Sequence, residues 1–267
     1  MLRSILLCFT VTAAALPARA APSAADPQLP MGLVSARLLP GWHDENGARV
    51  LALELVLEPG WKTYWRSPGD SGLPPSFDWQ GSTNMGDVTF HWPAPEPIIS
   101  GGATELGYHD SLILPFTVQP AIPDMPMTIS GQFELGLCEN ICVPATLELT
   151  APPAGDAPDA RILAAQALQP QRLDRRPQCR ILPIADGMRV EMTLEDTDAT
   201  LAAIEVEDRH DLWISGAEVT QGRDGITVSA EMVGPDSRPF DLAPEALRLT
   251  AIGPDDAIET LGCQNQD

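Results

Sequence analysis

Short apolar runs broken by proline and glycine recur through this chain, and they constrain its fold more than any other feature. The 27 prolines and 21 glycines leave few windows long enough for a helix, because proline removes a backbone donor and clashes with the preceding turn. The clearest run is 49–57. There Leu51, Leu53, Leu55 and Leu57 fall on one face at a period of two, and Pro59-Gly60 ends the pattern. Residues 34–39, 112–118, 127–137 and 145–150 read as further strands. So do 188–194, 203–206, 212–214, 226–232 and 247–252. Many short strands separated by turn residues predict an all-β protein built from sandwiches.

Residues 151–159, Ala-Pro-Pro-Ala-Gly-Asp-Ala-Pro-Asp, divide these strands into two groups. Such a composition resists regular structure. A short helix is expected over 160–168, before Pro170. The expected organisation is a β-sandwich domain over 21–150, a linker over 151–171 and a second, smaller β-sandwich domain over 172–267. Residues 1–20 read as a secretory signal peptide: Arg3, a mostly apolar run over 4–16, then Ala18-Arg19-Ala20 as a small-x-small cleavage site. A membrane anchor is the alternative, but the run falls short of the roughly 20 residues that span a bilayer. The mature chain is therefore expected to be exported and soluble, in the periplasm of a Gram-negative cell. Its formal charge is −21, and cleavage would remove Arg3 and Arg19. So acidic a chain does not bind nucleic acid through phosphate contacts.

Four cysteines follow the leader: Cys138, Cys142, Cys179 and Cys263. An even count in an exported chain favours disulfides, and four allow three pairings. The expected pairing is Cys138 with Cys142 and Cys179 with Cys263. In an extended strand, residues four apart lie about 13 Å from each other, whereas a disulfide needs Cα atoms within roughly 4.4–6.8 Å. The first pair therefore closes only if Glu139-Asn140-Ile141 turns back, and Asn140 suits a turn. The second pair flanks the second domain and reads as a structural bond. Closing so long a loop stabilises by about 4 kcal/mol or more. From spacing alone, the close pair fits an inert staple, a redox pair or part of a metal site. Zinc wants four ligands, and no histidine lies within twenty residues of the pair. His91 and His109 would have to join it through the fold. No cofactor and no metal site is expected.

The surroundings of the close pair resemble the N-terminal periplasmic domain of the disulfide reductase DsbD, including the variants linked to suppression of copper sensitivity. The residues that carry the likeness begin with Gly60-Trp61-Lys62-Thr63-Tyr64-Trp65-Arg66-Ser67-Pro68-Gly69-Asp70-Ser71-Gly72-Leu73-Pro74-Pro75. Phe77-Asp78-Trp79, His91-Trp92-Pro93-Ala94-Pro95, Glu105-Leu106-Gly107-Tyr108 and Leu114-Pro115 follow, and the series closes with Cys138-x-x-x-Cys142-Val143-Pro144. It spans about 110 residues. Over 172–267 the likeness is weaker, although the copper-linked relatives also carry a second β domain.

The resemblance implies an immunoglobulin-like sandwich whose two cysteines cycle between dithiol and disulfide. Cys142 would form mixed disulfides with thioredoxin-like periplasmic proteins, and Cys138 would resolve them. Tyr64 would shield the bond. The segment Pro95-Glu96-Pro97-Ile98-Ile99 occupies the place of the family's capping loop but departs from it in sequence. Ile98 or Ile99 would do the covering, and Glu96 would accept a proton near the sulfurs. The chain has no Cys-x-x-Cys and no apolar segment after the leader long enough to cross a membrane, so its expected electron donor is a separate membrane carrier. Two other classes stay open at this level. One is a copper-handling protein using the cysteine pair. The other is a non-catalytic binding module with a structural disulfide, in which exposed Trp61, Trp65 and Trp79 would form a platform.

Overall fold

The computed structural model describes residues 29–100 and 102–266; the expected signal peptide lies outside them. Among the described residues, twenty strands make up four sheets, joined by one α-helix and a short 3-10 turn. The first ten strands are β1 (Leu33–His43), β2 (Arg49–Leu57), β3 (Lys62–Tyr64), β4 (Ser76–Asp78), β5 (Met85–Phe90), β6 (Glu96–Ser100), β7 (Ala103–His109), β8 (Ser111–Pro120), β9 (Ser130–Cys138) and β10 (Cys142–Thr150). One sheet has the order β1-β2-β8-β5. The facing sheet has the order β10-β9-β3-β7-β6, with β4 also paired to β9. Every pairing here is antiparallel.

The two sheets close on one core. Leu51, Leu53 and Leu55 of β2, with Leu114 and Phe116 of β8, meet Phe133 and Leu137 of β9 and Trp65 just beyond β3. The period-two leucines of β2 thus face inward, as alternation requires. Residues on the other face of β2 are buried as well. Val50 and Ala52 pack with Leu39 against Ile162 of helix α1 (Ala160–Gln166). Asp159 caps that helix by accepting a hydrogen bond from the Arg161 amide at 2.9 Å, and Arg161 pairs with Glu54 of β2 at 3.0 Å. The Pro- and Ala-rich segment before the helix is held too. The Gly155 amide donates to the Gly41 carbonyl at 2.8 Å, and the Arg49 guanidinium donates to the Pro152 carbonyl. A stretch whose composition suggests a loose tether is therefore laid along the first sandwich.

The later strands are β11 (Gln171–Leu173), β12 (Gln178–Pro183), β13 (Met188–Glu195), β14 (Leu201–Val206), β15 (Trp213–Ile214), β16 (Glu218–Gln221), β17 (Gly225–Val233), β18 (Leu247–Ile252), β19 (Ala257–Leu261) and β20 (Gln264–Asn265). They form a second sandwich from the sheets β11-β19-β18-β14 and β15-β17-β13-β12-β20, with β16 paired to β17. Val190, Met192, Val228 and Met232 pack against Ile204 and Leu249 in its core.

The two sandwiches touch through specific contacts. Ala203 of β14 and Ile252 of β18 are buried within the first core cluster. Arg66, two residues past the end of β3, lies over the Trp65 ring at 4.3 Å. Its guanidinium pairs with Glu205 at 2.9 Å and Glu259 at 2.7 Å. Two carboxylates on one planar cation give charge-assisted bonds of fixed direction. Asp70, in the loop beyond, accepts from the Gly216 amide at 2.7 Å.

Candidate functional site

Cys138 ends β9 and Cys142 begins β10, opposite each other in the antiparallel register. Glu139, Asn140 and Ile141 form the exposed turn between them. The two sulfurs are joined at 2.07 Å. The halves of this bond differ sharply in access. Cys138 is 1 % exposed, whereas Cys142 lies open to solvent. The cause is positional: β9 is an inner strand, flanked by β10, β3 and β4, while β10 is the edge of its sheet.

Tyr64 lies across the outer face of this sheet, against the disulfide. Its hydroxyl is 2.9 Å from Cys138 Sγ and 3.1 Å from Cys142 Sγ. A disulfide sulfur carries no hydrogen, so in this state the O–H is the donor. The ring is 1 % exposed and packs with Ile98 and Cys138 in a small cluster of its own. Burial, then the nearby charge and hydrogen-bonding capacity of Glu105, hold the phenol pKa well above its ordinary value. It stays a neutral donor across the physiological range.

Two glycines make room for this arrangement. Gly107 is the register partner of Tyr64 on β7. A Cβ there would stand 2.2 Å from the Thr63 carbonyl oxygen and 2.3 Å from Ile98 Cδ1. At Gly136 on β9, a Cβ would stand 2.6 Å from Leu73 Cβ and 2.7 Å from the Tyr64 ring. Gly107→Ala should therefore lower stability by about 1–3 kcal/mol through overpacking, because the contacted backbone carbonyl cannot swing aside. Urea unfolding checks this: a midpoint equal to that of the parent chain would refute the packing account.

The residues singled out from the sequence divide as follows. Tyr64 and Ile98 meet the disulfide. Ile99 alternates to the other side of β6 and is 77 % exposed. Glu96 is exposed on the Ile98 side of β6, opposite Gly107, and among the described residues no hydrogen bond joins it to either sulfur. Cys179 and Cys263 are bonded to each other at 1.95 Å and are 2 % and 5 % exposed. Trp61 and Trp65 are buried, and Trp79 stacks with Phe77 and Phe90 against the core. They form no exposed aromatic platform. Among the described residues, no group of three or more His, Cys, Asp or Glu side chains is placed to hold a metal ion.

Sequence reasoning missed one site residue. Glu105 of β7 is 2 % exposed. In the pattern Glu105-Leu106-Gly107-Tyr108, alternation sends Leu106 and Tyr108 into the sandwich and Glu105 to the outer face, normally a solvated position. Here the loop after β3 runs beside this strand. It is pinned to β7 by the Leu106 amide donating to the Pro68 carbonyl at 3.0 Å, and Pro68 itself is buried.

Comparison with known proteins agrees with this arrangement. Residues 35–153 match the family described as "Thiol:disulfide interchange protein DsbD, N-terminal". Over those residues the chain is similar to a DsbD N-terminal domain. The match takes in the whole site, from β3 through Cys142, and its fold is immunoglobulin-like. Over 87 % of this chain and 92 % of the other, the structure resembles the crystal structure of the N-terminal periplasmic domain of ScsB from Proteus mirabilis. The TM-score is 0.63 and the identity 21 %. At that identity the likeness concerns the fold, and its coverage extends beyond residues 35–153 into the second sandwich. Comparison with curated proteins gives no match. Among the described residues, no helix is long and apolar enough to cross a membrane.

Proposed function

We propose that this chain is a periplasmic thiol–disulfide exchange protein that relays reducing equivalents through Cys138 and Cys142. The observation that carries the proposal is the unequal burial of one disulfide on a domain similar to a DsbD N-terminal domain. Exchange proceeds when a thiolate attacks a disulfide sulfur in line, forming a mixed disulfide. An incoming thiolate reaches Cys142 and is kept from Cys138. Cys138 is then the leaving group and later the resolving thiol. Tyr64 supports the departing sulfur, because a hydrogen bond to a thiolate is stronger than one to a neutral disulfide.

In this reading thioredoxin-like proteins are the exchange partners, and a separate membrane carrier supplies electrons. Residues 1–20 act as the export signal. The domain over 21–150 carries the chemistry, and the domain over 172–267 braces it through Arg66. Cys179–Cys263 is structural. The exposed Ile141 and Ile99, together with half-exposed Leu73 beside Gly136, offer apolar contact around the open sulfur.

The test is the reduction potential of Cys138–Cys142, measured with thiol counting in the folded protein, alongside exchange with a reduced thioredoxin-like protein. The expected result is two thiols released without unfolding, at a potential above about −300 mV. A bond that resists reduction below that potential and exchanges with no such protein is a staple, and the proposal fails.

A further inference from the structure

The buried carboxyl of Glu105 has no use in the exchange chemistry described so far. Its Oε2 is buried without a hydrogen-bond partner. A carboxyl is costly to bury in that way and remains only where something offsets the cost. The register explains where it points. Glu105 lies two residues before Gly107, the partner of Tyr64, and opposite Ile98. Side chains two apart share a sheet face, so Glu105, Ile98 and Tyr64 stand together on the face that carries Cys138. The Tyr64 hydroxyl makes its hydrogen bonds of standard geometry to the two sulfurs. The Glu105 carboxyl stands near enough for its charge and hydrogen-bonding capacity to act on the phenol.

We propose that Glu105 is the proton store of the resolving cysteine, exchanging one proton with Cys138 through the Tyr64 hydroxyl. This rests on the exchange reading above and supplies its missing proton balance. In closure, Cys142 holds a partner sulfur as a mixed disulfide and Cys138 is a thiol. The Cys138 proton passes to the Tyr64 oxygen as the Tyr64 proton passes to the Glu105 carboxylate. Cys138 sulfur bonds to Cys142 sulfur, the Cys142–partner bond breaks, and the partner leaves as a thiolate with that electron pair. Opening is the reverse. A partner thiolate bonds to Cys142, Cys138 departs with the electron pair, and the proton returns from Glu105 to Cys138 by the same hydroxyl. Sulfur at 1 % exposure and carboxyl at 2 % thus exchange a proton without admitting water. Tyr64 donates and accepts at one oxygen and ends each half-cycle neutral, in keeping with its raised pKa. Glu105 acts through Tyr64, and so is a positioning residue for the reaction.

Other ionisable groups border the site. Lys62 is opposite Cys138 and His109 opposite Lys62 in register. Glu96 is exposed on β6, and Glu139 is exposed in the turn beside Gly60. On the loop after β3, Arg66 and Asp70 are committed to the second sandwich. Of the carboxyls among these, Glu105 alone is both buried and beside Tyr64.

The test uses the full chain, with oxidised glutathione loading Cys142, and follows closure to the disulfide by mass spectrometry. Glu105→Gln should slow closure at pH 7 by roughly a hundredfold, the lower end of the range for a lost proton acceptor. The deficit should shrink as pH rises and the Cys138 thiol ionises unaided. Tyr64→Phe should show the same deficit and the same convergence, and the double variant should be no slower than either single one. Glu105→Asp should recover part of the rate. A carboxyl with a purely structural role would lower the melting temperature and leave the pH profile of closure unchanged. Should the variants fail to fold, the wild-type protein suffices. Its oxidised-minus-reduced infrared spectrum should show a carboxyl gaining a proton as the bond forms, and absence of that signal overturns the proposal. Closure at the wild-type rate across the pH range in folded Glu105→Gln overturns it equally. Wild-type protein that closes with glutathione but exchanges with no thioredoxin-like protein would instead sink the relay reading.

Discussion

Cys142→Ser should abolish exchange, while Cys138→Ser should accumulate a one-to-one mixed disulfide at Cys142. Both outcomes follow from the two exposures. In Cys138→Ser the open sulfur of Cys142 still attacks an oxidised partner, but the thiol that would release the partner is gone. In Cys142→Ser the remaining sulfur is 1 % exposed beneath Tyr64 and Ile98. It reacts only when the site opens locally, and an opening free energy of about 3 kcal/mol lowers the rate on the order of 100-fold. Incubating each variant with an oxidised thioredoxin-like protein and resolving adducts on non-reducing gels separates them. Equal capture by both variants would mean that the cysteines are equivalent, and the division of roles would fall. Adducts of Cys138→Ser with such a protein, formed in cells, would also identify the donor or acceptor.

Parts of this site could be read from the sequence, and parts could not, for physical reasons. The leucines of β2 declared their strand, because a period of two with one residue type is hard to mistake. The strand at 247–252 was equally legible, and its predicted bounds match β18. β3 escaped notice. It has only three residues, all buried, so no alternation is visible within it. Yet it stands between β9 and β7 and delivers Tyr64 to the sulfurs. β6 and β7 were hidden by their prolines and glycines. Pro97 stands on β6, an edge strand, where a missing donor is tolerated. Gly107 is small because Ile98 and the Thr63 carbonyl fill the space of a side chain. The same glycine signals that mark turns elsewhere mark close packing here. Glu105 was beyond reach because strand alternation assigns it to the outer face, and its burial depends on tertiary packing that no local pattern records.

The second disulfide should behave in the opposite way to the first. Replacing both Cys179 and Cys263 with alanine should destabilise the chain by about 4–5 kcal/mol, the loop-entropy figure for a bond spanning 84 residues. The melting temperature should fall on the order of 10 °C or more. Cys179 lies on β12, and Cys263 directly precedes β20, which pairs parallel to β12. The bond therefore fastens a two-residue terminal strand that backbone hydrogen bonds alone would hold weakly. Both sulfurs sit within the second core, so a reductant reaches them only on unfolding. Mild reductant should open Cys138–Cys142 and leave this bond intact. Exchange at Cys142 by the double alanine variant, measured well below its melting temperature, should stay within about twofold of the parent, since sites without shared partners act independently. A large loss of exchange in a folded variant would instead show that the second sandwich reaches the sulfurs energetically. Arg66 provides the physical route for that coupling, since it follows Tyr64 by two residues and is held by Glu205 and Glu259 of the second unit.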